Sequence, residues 1–213
     1  MKCKSLISQF LVYASIFILS ACSTDDNIKN FVESKSKHLA ETTDWYQSNT
    51  NIVVYEWQDK DYFANNEILT LAMQYSSDLG RSRQARDIAN NYRFSRDPAY
   101  SYNPNPSAMV SRYENEASSY EASAENVKIQ ILNLIQTVSI PEKSDGIWVI
   151  WSFSYKEYLG PNRWNGPFEK SYLFLLSQNG KEEKFCRDLT FGRNLFQDFA
   201  NITGAKYTSR TIN

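Results

Sequence analysis

The chain has little of what metalloenzymes and common hydrolases are built from. It contains a single histidine, His38, whereas a zinc site of the usual kind needs several ligands at matching spacing. It also has no Gly-x-Ser-x-Gly sequence to present a nucleophile and no glycine-rich phosphate loop. Glu56, Asp59 and Asp61 offer oxygen ligands for a divalent cation, but we interpret them as a polar turn. We therefore expect no enzymatic activity, no metal site and no cofactor, and we interpret His38 as a surface residue.

An excess of positive charge is also missing. The chain carries 23 Lys and Arg against 24 Asp and Glu, which gives a formal net charge of −1. Proteins that bind nucleic acid usually concentrate positive charge on one surface or over the whole domain. The sequence therefore predicts no nucleic-acid partner.

The one long apolar run lies at the N-terminus. It extends from Leu6 to Leu19 and is shorter than the roughly 20 apolar residues of a membrane-spanning helix. A basic start, an apolar stretch and small residues before a cleavage point are typical of a secretory signal. The residues that follow, Leu19-Ser20-Ala21-Cys22, resemble the lipobox of bacterial lipoproteins at every position. The alternatives are an uncleaved anchor and a secretory signal with an unrelated cysteine.

The resemblance to bacterial lipoproteins implies that residues 1–21 are a signal peptide and that Cys22 carries acyl chains. Two or more chains give stable attachment to a bilayer. Ser23 stands where an Asp would resemble an inner-membrane retention signal, so we expect an outer-membrane protein that faces the periplasm or the cell surface. We expect residues 22–30 to be a flexible tether. Cys186 is then left without a disulfide partner, and we interpret it as a small buried hydrophobe.

Residues 31–213 are predicted to form a single α+β domain. Four segments have the residue content or the alternation of β-strands: 51–57, 147–155, 171–176 and 183–189. Asn179 and Gly180 predict a tight hairpin turn between the last two. We expect a four-stranded antiparallel sheet packed by helices, with the first strand at one edge and a short helix at 194–201. One face of the second strand is predicted to hold Ile147, Val149, Trp151, Phe153 and Tyr155.

The strongest periodic pattern is a heptad stripe, typical of a coiled coil. Its apolar members are spaced alternately by three and four residues: Val110, Tyr113, Ala117, Tyr120, Ala124, Val127, Ile131, Leu134 and Val138. A second helical pattern covers residues 63–94, and prolines separate the two. Together they predict a long, protruding helical hairpin over residues 63–138. Its first arm is either one helix or two collinear helices that meet at Gly80.

Several arginines lie on the first arm of this hairpin: Arg81, Arg83, Arg86, Arg93 and Arg96. They either form a patch for anionic headgroups or pair with acidic residues of the second arm. If the arms fold back near residue 100, Arg86 faces Glu114 and Glu116, whereas Arg81 and Arg83 face Glu121. We favour the pairing, because opposite charges across an antiparallel helix pair specify its register.

Two predicted loops carry candidate binding residues. The loop at 160–168 presents Arg163 and Trp164, and the proline-rich connection of the hairpin presents Tyr100 and Tyr102. Exposed Trp, Tyr and Arg side chains make good anchors for a partner. The alternative is that these rings cover the sheet.

These features favour a membrane-anchored cell-envelope lipoprotein that binds another envelope protein through the helical hairpin. Small residues in the heptad stripe permit close packing against a partner helix, which is alternatively the chain's own first arm. The second function that the sequence allows is a glycan- or lipid-binding module. Its site would be an aromatic pocket near Trp151, Phe153 and Trp164.

Overall fold

The computed structural model describes residues 24–94, 105–161 and 163–212. The chain begins with helix α1 (24–42) and strand β1 (Trp45–Trp57), and a 3-10 turn (Tyr62–Ala64) leads into the longest helices. These are α2 (Asn66–Phe94) and α3 (Pro106–Thr137). The elements that follow are β2 (Ile147–Gly160), β3 (Arg163–Leu176), β4 (Glu183–Asp188), α4 (Leu195–Thr203) and β5 (Tyr207–Ile212).

The strands form one antiparallel sheet in the order β4-β3-β2-β1-β5. This confirms the α+β class with an antiparallel sheet, but the expected number of four strands is wrong, because the sheet has five. The additional strand, β5, pairs with β1 over residues 52–57, so β1 is not an edge strand there. Only Tyr207 and Ile212 are apolar in β5, too few to give the pattern of a half-buried strand.

Strands β2 and β3 are longer than the sequence predicts. They pair from Ile147 opposite Leu176 out to Gly160 opposite Arg163. The loop expected at 160–168 is therefore wrong, since β3 already begins at Arg163. Gly160 and Gly166 have positive φ values of 128° and 116° and lie where the pairing shifts register. The glycines that indicated a loop are instead bends within a β-hairpin.

Residues 24–30 are helical, whereas we expected them to belong to a flexible tether. Ile28 and Val32, one helical turn apart, are 0% and 1% exposed and pack in a core with the sheet. The side chain of Asn27 donates a hydrogen bond of 2.9 Å to the carbonyl oxygen of Asn179. The chain is thus attached to the sheet from the first residues that the structure describes.

Helices cover both faces of the sheet, because side chains alternate between the faces along every strand. Helix α1 covers one face, and α2, α3 and α4 cover the other. The shared face predicted for β2 is confirmed. Its residues lie in the core beneath α1 or pack against it: Ile147, Val149, Trp151, Phe153 and Tyr155.

Helices α2 and α3 pack side by side and antiparallel. Asp78, early in α2, accepts a hydrogen bond from Ser123, whereas Arg93, late in α2, binds Glu114. Ala117 and Ala124 of the heptad stripe are 0% and 2% exposed. The partner of the stripe is therefore α2 of the same chain. No helix in the described ranges combines the length and the hydropathy needed to cross a bilayer.

Candidate functional site

The outer halves of β2 and β3 form a two-stranded ribbon, which we define as residues 156–168. Strand β4 pairs with β3 only over residues 172–176, so it leaves the ribbon uncovered on that side. Along β3 the side chains change from mostly buried at 171–176 to exposed at 163–169. The sequence thus builds a hairpin that starts in the core and ends in solvent.

Three large apolar side chains near the end of the ribbon are exposed, and we call them the ribbon tip: Tyr158 (43%), Leu159 (55%) and Trp164 (50%). Phe168 (36%) is exposed nearer the base of the ribbon. The rings of Tyr158 and Trp164 contact each other across the hairpin at a tilt of 58°, with 5.1 Å between centroids. Phe168 lies 5.5 Å from the ring of Tyr155 in the same way. Exposed apolar clusters that include Trp and Tyr are typical of interaction sites.

The structure brings together only some of the binding residues that the sequence predicts. Trp164 belongs to the ribbon tip, and Arg163 is exposed beside it. Trp151 and Phe153 are 1% and 2% exposed in the core beneath α1, so they do not form an open pocket with Trp164. Cys22, Tyr100 and Tyr102 lie outside the described residues.

The base of the ribbon is held by ring and charge contacts. Trp45 of β1 stacks on Tyr155, with 4.2 Å between centroids. Lys170 Nζ lies 5.3 Å from the ring of Trp45 and 2.9 Å from a carboxylate oxygen of Asp188. Burial lowers the pKa of Lys170, but the hydrogen bond and charge of Asp188 outweigh it, so the pKa lies above its ordinary value. The ammonium group stays charged and links β3, β4 and β1.

A cleft of about 520 Å³ lies between the ribbon and α2. Arg83, Gln84 and Asp87 line it on the helix side, and Pro167, Phe168 and Glu169 line it on the ribbon side. Arg193 also lines the cleft and forms an ion pair with Glu169. The cleft shows that α2 runs alongside the ribbon, with charges of both signs between them.

A buried carboxyl group connects α4 to α2 near this cleft. Asp198 is 6% exposed and accepts a hydrogen bond of 2.6 Å from Ser76 Oγ. Arg83 lies 3.8 Å from the same carboxylate. Burial raises the pKa of Asp198 above its ordinary value, although Ser76 and Arg83 act in the opposite direction. These contacts join α4 to α2, so the role of Asp198 is structural.

The arginines of α2 bind groups within the chain. Arg86 forms a bidentate pair with Glu121, with distances of 2.7 Å from Nη2 to each oxygen. Arg93 binds Glu114 at 2.6 Å. Arg81 lies 5.1 Å from the ring of Phe191 instead of facing Glu121. Pairing across the helices is thus confirmed for Arg86 and Arg93, but the partners expected for Arg81, Arg83 and Arg86 are wrong, because Glu121 binds Arg86 and Arg83 lies nearest Asp198. Arg96 lies outside the described residues.

The remaining polar candidates have ordinary surroundings. His38 is exposed on α1. Asp61, expected in a polar turn, is 2% exposed and accepts hydrogen bonds from Trp148 Nε1 and the backbone N–H of Phe63. Cys186 is half-buried, and burial raises the pKa of its thiol. Over the part of the chain that the structure describes, no three His, Cys, Asp or Glu residues are grouped to hold a metal ion.

Sequence reasoning found Trp164 but missed the other members of the ribbon tip. The available signal was the apolar pair Tyr158-Leu159, which lies just beyond Tyr155, where the predicted strand ends. No protein-family model, curated protein or solved structure gives a significant match to the chain. The ribbon tip and the adjoining cleft are therefore the candidate site on geometry alone.

Proposed function

We propose that the chain is a non-enzymatic, membrane-anchored cell-envelope lipoprotein that binds another protein at the end of the molecule farthest from its anchor. The lipobox at Leu19-Ser20-Ala21-Cys22 supports the anchor. Helix α1 is already formed at residue 24, so an acylated Cys22 would attach the body to the bilayer through a very short connection. Such an anchor restricts how the body faces the membrane.

The geometry of β3 separates the anchor from the ribbon tip. The start of α1 lies beside the β3–β4 turn, where Asn27 binds Asn179 and Gly180 approaches Ile28. The ribbon tip lies at the other end of β3. With 14 residues at about 3.3 Å per residue, the two ends are about 40 Å apart. The ribbon tip would therefore point away from the bilayer that holds Cys22.

The helix pair extends toward the same end. Arg83 and Asp87 lie beside the ribbon at the cleft, and α2 continues to Phe94, which is 75% exposed. From Arg83 to Phe94 the helix rises about 16 Å at about 1.5 Å per residue. A protruding helical hairpin is thus a part of this proposal. The apolar stripe of α3 is already packed against α2. We therefore assign binding to the ribbon tip and propose that the helical hairpin only supports it.

The observation that carries the proposal is the exposure of Tyr158, Leu159, Trp164 and Phe168 on one projecting hairpin. A hairpin held at its base by Trp45 and Tyr155 loses little conformational entropy when it binds. Aromatic anchors on such a support are typical of protein interfaces. Because the ribbon tip faces away from the expected membrane, a protein reached across the envelope is the favoured partner.

The anchor is tested by intact-mass analysis of protein purified from its native host. The expected mass is that of a chain beginning at Cys22 with two or three acyl chains. Cys22→Ser should abolish membrane attachment, and Cys186→Ser is the matched control that should keep it. An unmodified Cys22, or Met1 still attached, contradicts this part of the proposal.

Binding is tested with a photoreactive amino acid placed at Tyr158 in living cells, with the same group at Lys143 as a control far from the ribbon. We expect one protein adduct from position 158 and none from 143. With the purified partner, Trp164→Ala and Leu159→Ala should each weaken binding at least about tenfold, and Phe94→Ala should not. Loss through Phe94→Ala alone would assign binding to the helix pair. A glycan or lipid adduct would favour the alternative function.

A further inference from the structure

The outer edge of β1 is covered only in part. Strand β1 runs from Trp45 to Trp57, whereas β5 pairs with it only over residues 52–57. Within the described ranges no strand pairs with residues 45–51 on that side. The backbone N–H and C=O groups that point away from β2 are thus available to another extended chain.

A groove of about 670 Å³ lies between this open edge and α1. Its apolar lining comes from both walls: Val32, Ala40, Trp45, Ile52 and Ile212. Val32 and Ile52 are themselves held in the core, at 1% and 6% exposed. Because these two residues are fixed by packing, the groove has a preformed apolar floor.

An amide inside the groove lacks a complete set of hydrogen bonds. Ser36 Oγ donates a hydrogen bond of 2.6 Å to Gln47 Oε1. Gln47 Nε2 is buried and has no hydrogen-bond partner among the described residues. This nitrogen has almost no accessible surface, so Gln47 forms a fixed part of the groove wall and its amide is not a contact for an occupant.

The charges along the groove favour an acidic occupant. Lys29, Glu33 and Lys37 line it, and Lys29 already has a partner within the chain. Lys37 forms no ion pair with any residue that the structure describes. An acidic side chain placed near Lys37 would complement this charge.

We infer that this groove binds an extended peptide segment, which joins the sheet as a further strand on β1 in line with β5. Main-chain hydrogen bonds to residues 45–51 hold the peptide. An apolar side chain fills the space between Val32 and Trp45, and an acidic side chain faces Lys37. This arrangement is the β-strand addition mode of peptide recognition. It uses residues other than the ribbon tip and holds whether or not the ribbon tip binds a protein.

A β-bulge makes the open edge selective. The register between β1 and β2 shifts between Ser48 and Asn51, and Asn49 has a φ of 53°. Bulges on open edges discourage indiscriminate strand pairing. A peptide must therefore gain affinity from the groove as well as from the backbone of β1.

The test uses a displayed library of random peptides selected on the purified protein. The enriched peptides should slow amide hydrogen exchange at residues 45–51, because strand addition pairs those backbone groups. Ala40→Trp, which fills the groove, should weaken their binding at least about tenfold. The matched control is Ser34→Trp, on the same helix but outside the groove lining, and it should leave binding unchanged.

A second pair of variants keeps the test decisive if Ala40→Trp disturbs folding. Lys37→Glu should weaken the acidic peptides about threefold or more, and Lys143→Glu, far from the groove, should not. Equal binding by the wild type and both groove variants overturns the inference. So does protection that is confined to residues outside 45–51, or protection of 45–51 that rises with protein concentration alone, which would identify a second copy as the occupant.

Discussion

The carbonyl oxygen of Phe191 occupies the space that a side chain on Gly80 would need. A Cβ built on Gly80 would lie 1.8 Å from that oxygen. The glycine therefore does not end α2 but lets the segment before α4 approach the helix. This contact also explains how the floor of the cleft beside the ribbon is fixed, since Phe191 lines that cleft.

Gly80→Ala should destabilise the protein even though alanine favours helices. Helix propensity alone predicts a gain of up to about 1 kcal/mol. The clash is with backbone rather than a flexible side chain, so we expect a net loss of about 1–3 kcal/mol in the free energy of unfolding. Urea unfolding measures it. Thr70→Ala, at an exposed site of α2, is the control and should change stability by less than about 0.5 kcal/mol. Greater stability of Gly80→Ala would contradict the contact.

Trp148→Phe should cost more than Trp151→Phe. Both rings are buried, at 2% and 1% exposed. Trp148 Nε1 donates to the buried carboxyl of Asp61, whereas Trp151 Nε1 has no hydrogen-bond partner among the described residues. Only the first variant leaves a buried acceptor short of a donor, so its loss of stability should be larger by about 1–3 kcal/mol. Equal losses in chemical denaturation would show that the Asp61 contact adds nothing.

Asp198→Asn should change stability in a pH-dependent way. Burial raises the pKa of Asp198, so the folded state favours the protonated carboxyl. The stabilisation from the protonated carboxyl is complete when the pH is below the pKa of this group in the unfolded chain, about 3.9. It is lost as the pH rises through the pKa of the group in the folded protein. Asparagine is neutral throughout. The variant should therefore gain stability relative to the wild type as the pH rises from acid to neutral, as measured by urea unfolding.

Asp188→Asn is the control with the opposite sign. Burial raises the pKa of Asp188, but hydrogen bonds from Thr190 and Lys170 outweigh it and the pKa is lowered. The stabilisation from the ionised carboxylate of Asp188 is present when the pH is above its pKa in the unfolded chain. It is lost as the pH falls through its pKa in the folded protein. The variant should be less stable than the wild type at neutral pH, and the difference should vanish in acid. If the stability of both variants, relative to the wild type, changed with pH in the same direction, the surroundings described for Asp198 and Asp188 would be wrong.

Exchanging the charges of Arg86 and Glu121 tests the register of α2 and α3. Arg86→Glu or Glu121→Arg alone places like charges opposite each other and should lower the melting temperature. The double exchange should recover most of that loss, because the pair is exposed and its geometry is preserved. Recovery should be incomplete, since Ser82 also donates a hydrogen bond to Glu121. No recovery would mean that another register is populated.

The parts of the fold that repeat a pattern were predictable. The alternation Ile147, Val149, Trp151 and Phe153 predicted a strand face, and the heptad stripe of α3 predicted a helix. Strand β5 was not predictable, because its residues are mostly polar and its place depends on pairing with β1. Long-range pairing of this kind leaves no local periodicity.

The sequence predicted one residue of the candidate site but not the arrangement of the site. Trp164 stood out as an exposed aromatic, but its neighbours depended on where β2 and β3 end. Gly160, Pro161, Gly166 and Pro167 resemble loop residues, and sequence alone does not distinguish a loop from a bent hairpin. The tether was wrong for a similar reason, since Ile28 is apolar but becomes a core residue only when the sheet is present.

The pairing of Ile52 with Ile212 also has a consequence for biosynthesis. The half of β1 at residues 52–57 is synthesised well before β5, which pairs with it from residues 207–212. Closing so distant a contact is slow. Truncation near residue 206 would leave residues 52–57 of β1 as an open strand edge, and such a species should aggregate.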